Sequence, residues 1–363
     1  MAAAAEHIAI LALTSGALAL GEKLAAALPA RLVACRGRVR AAFETCWQEC
    51  GALVCIMASG IVVRQIAPLL ADKYRDPAVL VLDERGRFVI ALLSGHIGGA
   101  NALARRVAAL TGGQAVLTTS SDVQGLTALD LWCQARQLVP ASKAALTHAM
   151  GLLADRGSLR LWCEPGLEGF CDDSAGAETQ MPEPRLQAEH RKMRGLPPDL
   201  HPVDRREDAD LLLSCHREAP GLAALLHPRA LCIGLGCNRG TPRAEIAAAV
   251  AETLARHHLA GQAVAGLASI DLKADETGLL DFAEHERLPL VFFSRELLNA
   301  VPAASSSDAV FRATGAYAVA EPAALLAAGP GAVLLVLKTK WPNVTVAVAR
   351  KPRPTPQPGN EKP

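Results

Sequence analysis

The chain has a rhythm that leaves few folds open to it. Short apolar runs of strand length end in turns bearing Gly, Ser or Thr, and apolar residues at helical spacing follow. Ile8–Leu13 is read as a buried strand, Thr14-Ser15-Gly16 as a turn, and Ala17–Leu28 as an Ala-rich helix stopped by Pro29. Leu53–Met57 is a second strand. Pro77–Leu82 and Phe88–Leu93 are two more, and the polar Gly-bearing loop Asp83–Arg87 between them predicts a hairpin. Ala100, Leu103, Val107 and Leu110 recur at helical spacing, with Gly112-Gly113 as the stop. Ala115–Thr118 is another strand. Such alternation implies α/β layers. Aromatic residues are only 4% of the chain, so the core must be built from Ala, Leu, Val and Ile. Side chains this small suit sheets closely covered by helices.

The 363 residues are long enough for two or three domains. We expect two α/β layered domains with largely parallel or mixed sheets, joined through a Pro- and charge-rich middle region. The first spans 1–220 and contains an insertion at about 164–208, read as a long loop or partly disordered. The second spans 228–350, from the strand Leu231–Leu235 to a pairing of Ala332–Leu337 with Val344–Ala349. Within it, Thr241-Pro242 reads as the cap and first residue of a helix. Residues 351–363 hold five prolines and read as a flexible tail.

Lys and Arg total 37 against 36 Asp and Glu, a balance that offers no general electrostatic case for nucleic acid or an anionic membrane. Ten cysteines occur without a C-x-x-C or a Cys/His repeat at zinc spacing, so buried free thiols of a reducing cytoplasm are expected and no metal site. The apolar stretch Ile8–Leu20 is preceded by Glu6 and His7 rather than by Lys or Arg, and Thr14-Ser15-Gly16 interrupts it. It is therefore read as neither a signal peptide nor a membrane span, and a cytoplasmic protein is expected.

The segment richest in chemistry is Ser94-Gly95-His96-Ile97-Gly98-Gly99-Ala100-Asn101, between the end of a strand and the start of a helix. Open α/β sheets bind ligands at such strand ends. Glycines admit close approach to the backbone, and the first N–H groups of a helix are donors. His96 titrates near neutrality and suits proton transfer. A plainer role is also open, in which the glycines shape a turn and Ser94 or Asn101 caps the helix. Ser59-Gly60-Ile61-Val62-Val63-Arg64 and Thr118-Thr119-Ser120-Ser121-Asp122 follow neighbouring strands. If those strands run parallel, all three turns gather on one sheet edge. Neither Ser59 nor Ser94 sits in the G-x-S-x-G of a nucleophile elbow. In the second domain, Gly234-Leu235-Gly236-Cys237-Asn238-Arg239-Gly240 also links strand to helix. Its glycines miss the dinucleotide spacing, and it reads as an anion-binding loop with Arg239. Lys273 follows another strand and reads equally as a ligand or a solvated charge. Lys338 and Lys340 read as surface charges.

At these residues the chain resembles the cobalamin-biosynthesis CbiG family. The likeness runs over about 50–130, from Ser59-Gly60-Ile61 through Asp76-Pro77-Ala78-Val79 and Leu93–Asn101 to Thr118-Thr119. It resumes over about 230–350, at Gly234–Cys237, Arg239–Pro242, Lys273, Glu276, Phe293-Ser294 and Ala320–Ala324. It departs from the family pattern at Asn238, where an Arg is usual, and at Ser120-Ser121, where Ala-Thr is usual. The resemblance implies a cobalt-precorrin-5A hydrolase, an enzyme that opens a ring-A δ-lactone with water, breaks a carbon–carbon bond and releases acetaldehyde to give cobalt-precorrin-5B. It implies no cofactor, because the cobalt is carried by the substrate. The implied partners are the cobalt-corrinoid substrate and neighbouring pathway enzymes.

For that chemistry His96 is the candidate general base, Asp122 its orienter and Ser94 a further catalytic candidate. Backbone N–H groups at Gly98 and Gly99 are candidate oxyanion donors. Substrate contacts are expected from Ser59, Gly60, Arg64, Gly95, Gly98, Gly99, Asn101, Thr118 and Thr119. In the second domain they are expected from Gly236, Cys237, Asn238, Arg239, Gly240, Lys273 and Glu276. Motif density places the reaction in the first domain, and a cleft between domains is equally physical for so large a ligand. The competing class is a non-catalytic carrier of tetrapyrrole intermediates. A nucleotide-binding protein is a third class, disfavoured by the broken dinucleotide spacing and the missing P-loop.

Overall fold

Strand–helix alternation produces three α/β sheets. The computed structural model describes residues 8–72, 75–171, 195–218, 221, 223–301, 311–312 and 314–352. The first sheet begins with β1 (Ile8–Ala12), α1 (Ser15–Ala27), β2 (Ala30–Ala34) and α2 (Val39–Glu49). It continues with β3 (Ala52–Ile56), α3 (Ser59–Ile66), β4 (Ala78–Leu82), β5 (Phe88–Leu93), α4 (Ala100–Thr111) and β6 (Gln114–Val116). Two short helices follow, α5 (Ser120–Gln124) and α6 (Leu129–Ala135).

The strand order is β2-β1-β3-β4-β5-β6. β1, β2, β3 and β4 run parallel. Successive residues of β3 face opposite sides. Val54 and Ile56 pack in the layer of α1 and α4 with Leu24, Ala104 and Val107. Leu53 and Cys55 pack in the layer of α2 and α3 with Phe43, Cys46, Val62 and Ile66.

The expected hairpin is present. The Asp83 carboxylate accepts the N–H groups of Arg85 and Phe88, both at 2.9 Å, and so closes the loop. β5 therefore runs antiparallel to β4, and β6 parallel to β5. The strands that precede the three turns do not all point one way. The turns after β5 and β6 share one edge of the sheet, and the turn after β3 lies on the opposite edge.

The chain divides into two compact units between Leu131 and Trp132, which does not coincide with the boundary expected near 220–228. Residues past that division build a sheet of their own from β7 (Leu138–Pro140), α7 (Lys143–Arg156), β8 (Leu159–Cys163), β9 (Leu200–Pro202), β10 (Leu211–Leu213) and β11 (Ala224–Pro228), in the order β7-β11-β10-β8-β9. The middle region is thus not all loop, because β9 pairs with β8. The loop expectation for 172–194 and the tail expectation for 353–363 fall outside the described residues.

The third sheet comprises β12 (Leu231–Cys237), α8 (Arg243–Arg256), β13 (Val264–Ile270), α9 (Thr277–Glu286), β14 (Leu290–Phe293), α10 (Arg295–Ala300), α11 (Ala320–Ala328), β15 (Val333–Lys340) and β16 (Val344–Arg350). Its order is β14-β13-β12-β16-β15, with the expected β15–β16 hairpin antiparallel. Helix α11 seats its small residues Ala320 and Ala324 on β12. A Cβ added at Gly234 would lie 1.8 Å from the Ala320 carbonyl oxygen, so helix and strand can meet only over a glycine. Gly234→Ala is expected to destabilise the second unit by about 1–3 kcal/mol, the usual cost of overpacking. Urea unfolding of the purified variant checks this.

All ten cysteines are free thiols. Among the described residues no helix is long and apolar enough to cross a membrane.

Candidate active site

The turn after β5 is built by its own hydrogen bonds. Ser94 takes φ +57°, and Gly99 at φ +84° precedes α4. The N–H of Gly99 donates to the His96 carbonyl at 2.9 Å, that of Ala100 to Ser94 at 3.1 Å and that of Asn101 to Gly95 at 2.9 Å. The expected oxyanion donor at Gly99 is therefore spent inside the turn. A Cβ at Gly98 would lie 2.4 Å from the Ser94 Cβ, and one at Gly95 would lie 2.8 Å from Asn101 Oδ1. These glycines serve close packing. Ser94 Oγ donates to the Asp76 carbonyl at 2.9 Å. Its hydroxyl ties the turn to the start of β4, a structural bond for the residue expected among the catalytic groups.

The same turn carries His96 into a dense polar network. Its Nε2 lies 3.2 Å from Asp122 Oδ2 and 3.1 Å from Ser121 Oγ, and its Nδ1 lies 3.4 Å from Asp130 Oδ1. Asp122 Oδ2 also accepts Thr119 Oγ1 and Asn101 Nδ2, both at 2.6 Å, while Arg105 pairs with Oδ1. Asn101 Nδ2 reaches Thr119 Oγ1 as well, at 2.8 Å, and is 5% exposed. The hydrogen bond with Asp130 raises the His96 pKa. Burial opposes that rise, and the Asp122 carboxylate adds to it. Burial alone would raise the Asp122 carboxyl, but bonds from Thr119, Arg105 and His96 outweigh it and hold the group at about 2.

Because the folded-state pKa of Asp122 lies below its ordinary 3.8, the stability it contributes is complete above about pH 4. That contribution is lost as pH falls through about 2. Acid unfolding followed by circular dichroism should therefore show a loss between pH 4 and 2 that is shallower in Asp122→Asn.

The network surrounds a cavity of about 120 Å³ lined by His96, Asn101, Arg105, Ser121, Asp122 and Leu126. At about 30 Å³ per water it holds a few waters or one end of a substrate, not a macrocycle.

Sequence reasoning brought His96, Asn101, Thr119 and Asp122 together correctly. Thr118 is exposed and makes none of these contacts. Ser59, Gly60 and Arg64 belong to α3 at the opposite sheet edge, where Arg64 donates to the Gly60 carbonyl of its own helix at 2.9 Å. Hairpin reversal of β5 is the reason they are excluded. Asp130, Arg105 and Ser121 were missed as site residues. The acidic residue in the first turn of α6 was the one available signal for Asp130.

The second unit holds a larger cleft, about 620 Å³, at the end of β12. Gly236, Cys237, Asn238, Arg239 and Lys273 line it as expected, and so do Lys338 and Lys340 of β15. The two lysines expected as surface charges thus stand on the wall of this open cleft. β16 pairs antiparallel with β12, so the β15–β16 hairpin is brought beside the Gly loop. The Cys237 thiol is pushed up by burial and is present as a neutral group.

Glu276 is 4% exposed, accepts the Gly240 N–H at 2.8 Å and sits 3.4 Å from Lys273 Nζ. It braces the loop expected to contact substrate, and Gly240, at φ +73°, is held by it. Arg239 pairs with Asp275 at 2.5 Å and donates to the Leu272 carbonyl at 2.9 Å. Asn238 Nδ2 donates to Asn343 Oδ1 at 2.9 Å. Thr241 Oγ1 bonds back to the Asn238 carbonyl at 2.8 Å, so α8 starts one residue later than expected, after Pro242. Among the described residues neither Lys338 nor Lys340 forms a salt bridge through its ammonium group, while the Lys338 backbone N–H donates to the Glu321 carboxylate at 2.9 Å.

Residues 41–122 match the family model described as Cobalamin synthesis G N-terminal, and residues 231–349 match Cobalamin synthesis G C-terminus. A cobalt-precorrin-5A hydrolase of Priestia megaterium is 36% identical over 87% of this chain and 83% of its own length. One from Salmonella typhimurium strain LT2 is 32% identical over 95% of this chain and 98% of its own length. Protein CobE of a Sinorhizobium species is 39% identical over 33% of this chain and 79% of its own length.

Proposed function

The chain belongs to the cobalamin synthesis G family, and from that premise we propose that it is a cobalt-precorrin-5A hydrolase. The observation that carries this reading is the pair of hydrolase relatives matched at 36% and 32% identity across most of both chains. The substrate brings its own cobalt, and no separate cofactor enters the reaction. Ten free thiols fit a reducing cytoplasm.

In the proposed reaction, water held in the cavity beside His96 loses a proton to Nε2 as its oxygen attacks the lactone carbonyl. The tetrahedral intermediate collapses, the ring C–O bond breaks, and His96 returns the proton to the departing oxygen. A hydroxyl and a carboxylic acid result, and the acid gives its remaining proton to solvent. Loss of the hydroxyl proton to His96 then breaks the adjacent carbon–carbon bond. Acetaldehyde leaves, and the electron pair stays on the conjugated macrocycle. Asp122, anchored by Arg105, Thr119 and Asn101, holds the charged imidazole between the two transfers.

The cationic cleft of the second unit is a separate site whose charge suits carboxylate groups such as the acetate and propionate arms of a corrinoid. Charge-assisted bonds from Lys338 and Lys340 suit these carboxylates, and neither lysine is committed to an internal acid among the described residues.

The test is anaerobic incubation of purified protein with cobalt-precorrin-5A, following acetaldehyde with a coupled dehydrogenase and the corrinoid by mass. Catalytic acetaldehyde release with the lactone opened is the expected result. Tight corrinoid binding with no acetaldehyde from the protein alone, or with the neighbouring pathway enzymes added, would replace this reading with that of a carrier.

A further inference from the structure

One imidazole lies between two carboxylates, and the two are not equivalent. Asp122 Oδ2 faces His96 Nε2 but already accepts Thr119 and Asn101, and Arg105 occupies the other oxygen. A carboxylate that shares its charge among three donors attracts a neutral ring's N–H less strongly than an unshared one would, while still stabilising the imidazolium. The Nε2 side also borders the small cavity, where Ser121 Oγ approaches at 3.1 Å. On the other side, Asp130 Oδ1 lies 3.4 Å from Nδ1, with its side chain 7% exposed. That oxygen accepts the Leu131 N–H at 2.9 Å, which fixes the carboxylate at the start of α6. A neutral ring with its lone pair on Nδ1 would face the Asp130 charge in a poorly solvated place, an unfavourable arrangement. A ring protonated on Nδ1 faces it favourably.

We infer that Asp130 is a positioning residue that sets the working tautomer of His96, keeping the proton on Nδ1 and leaving Nε2 to take and return it. Its kinetic importance rests on the catalytic role proposed for His96, whereas the tautomer itself does not. The charged and polar groups facing the ring are Asp122 and Ser121 from α5 and Asp130 from α6, with Arg105 of α4 acting on it through Asp122. Burial works against the charged ring, and the two carboxylates outweigh it to raise its pKa.

Nuclear magnetic resonance of full-length protein labelled with 15N-histidine tests this, with His96→Gln identifying the His96 signals. In the native chain the neutral ring should carry its proton on Nδ1. Asp130→Asn, which keeps an acceptor for the Leu131 N–H, should lower the His96 pKa and raise the share of the Nε2–H form. It should also lower kcat by at least about tenfold, part of the ~10²–10⁴ that a general base supplies, with KM unchanged. Asp130→Ala is the second neutral variant, and a thermal melt close to that of the native chain certifies the fold of either. If the neutral-ring tautomer and the pKa are the same with and without the Asp130 charge, the inference is overturned. If the tautomer shifts in the variants while His96→Ala keeps the full rate, the positioning role stands and the catalytic reading of His96 falls.

Discussion

His96→Ala is expected to lower kcat by about 10²–10⁴-fold with KM near its native value. The imidazole is the one group in this network whose ordinary titration lies near neutral pH. Its Nε2 opens on a cavity sized for water and one end of a substrate, and Asp122 is positioned to stabilise the charged ring. A base works only when neutral, and the flanking carboxylates raise the His96 pKa above its ordinary 6.5. The acid limb of the kcat profile should therefore lie above pH 6.5, with activity lost as pH falls through that raised value. In Asp122→Asn the same limb should move to lower pH, because one of the two charges that favour the imidazolium is gone. Steady-state acetaldehyde release across a pH series measures both effects. A His96→Ala enzyme at full rate would sink the assignment.

The second large effect is expected in corrinoid affinity at the cleft of the second unit. Replacing both Lys338 and Lys340 with Ala should raise the Kd read by direct corrinoid titration by about 10- to 100-fold for each charge-assisted hydrogen bond removed, at about 1.5–3 kcal/mol each. Arg239→Ala should cost less, because Asp275 and the Leu272 carbonyl already engage that guanidinium. Lys273 is likewise paired, with buried Glu276. The two lysines of β15 therefore carry most of the cleft's uncommitted charge. Raising ionic strength should weaken substrate capture by the native enzyme and affect the double variant much less. If that Kd is unchanged in the double variant, the carboxylate arms bind elsewhere.

Much of the first sheet was legible in the chain itself. The apolar runs announce the strands, and the Asp83–Arg87 loop announces the hairpin through a side chain that satisfies its own neighbours' N–H groups. The expectation that three turns meet on one edge failed for a reason already contained in that hairpin. Reversing β5, with β6 parallel to it, separates the His96 turn from the Ser59 turn. Alone, the two motifs look alike; the strand directions distinguish them.

Local matters are legible in the residues: which segments are strands, where the Gly-rich turns fall, and which family carries such turns. Those depend on spacing and backbone freedom within a few residues, and the chain displays them directly. Which residues meet depends on how the elements pack. Asp130 reaches His96 because α6 follows the β6 edge of the sheet, and Lys338 and Lys340 reach the cleft because β16 pairs with β12. A lone carboxylate or lysine has no local signature of its role. Its work is assigned by strand pairing and helix placement, which bring distant charges within a few ångströms of one ring or one cleft.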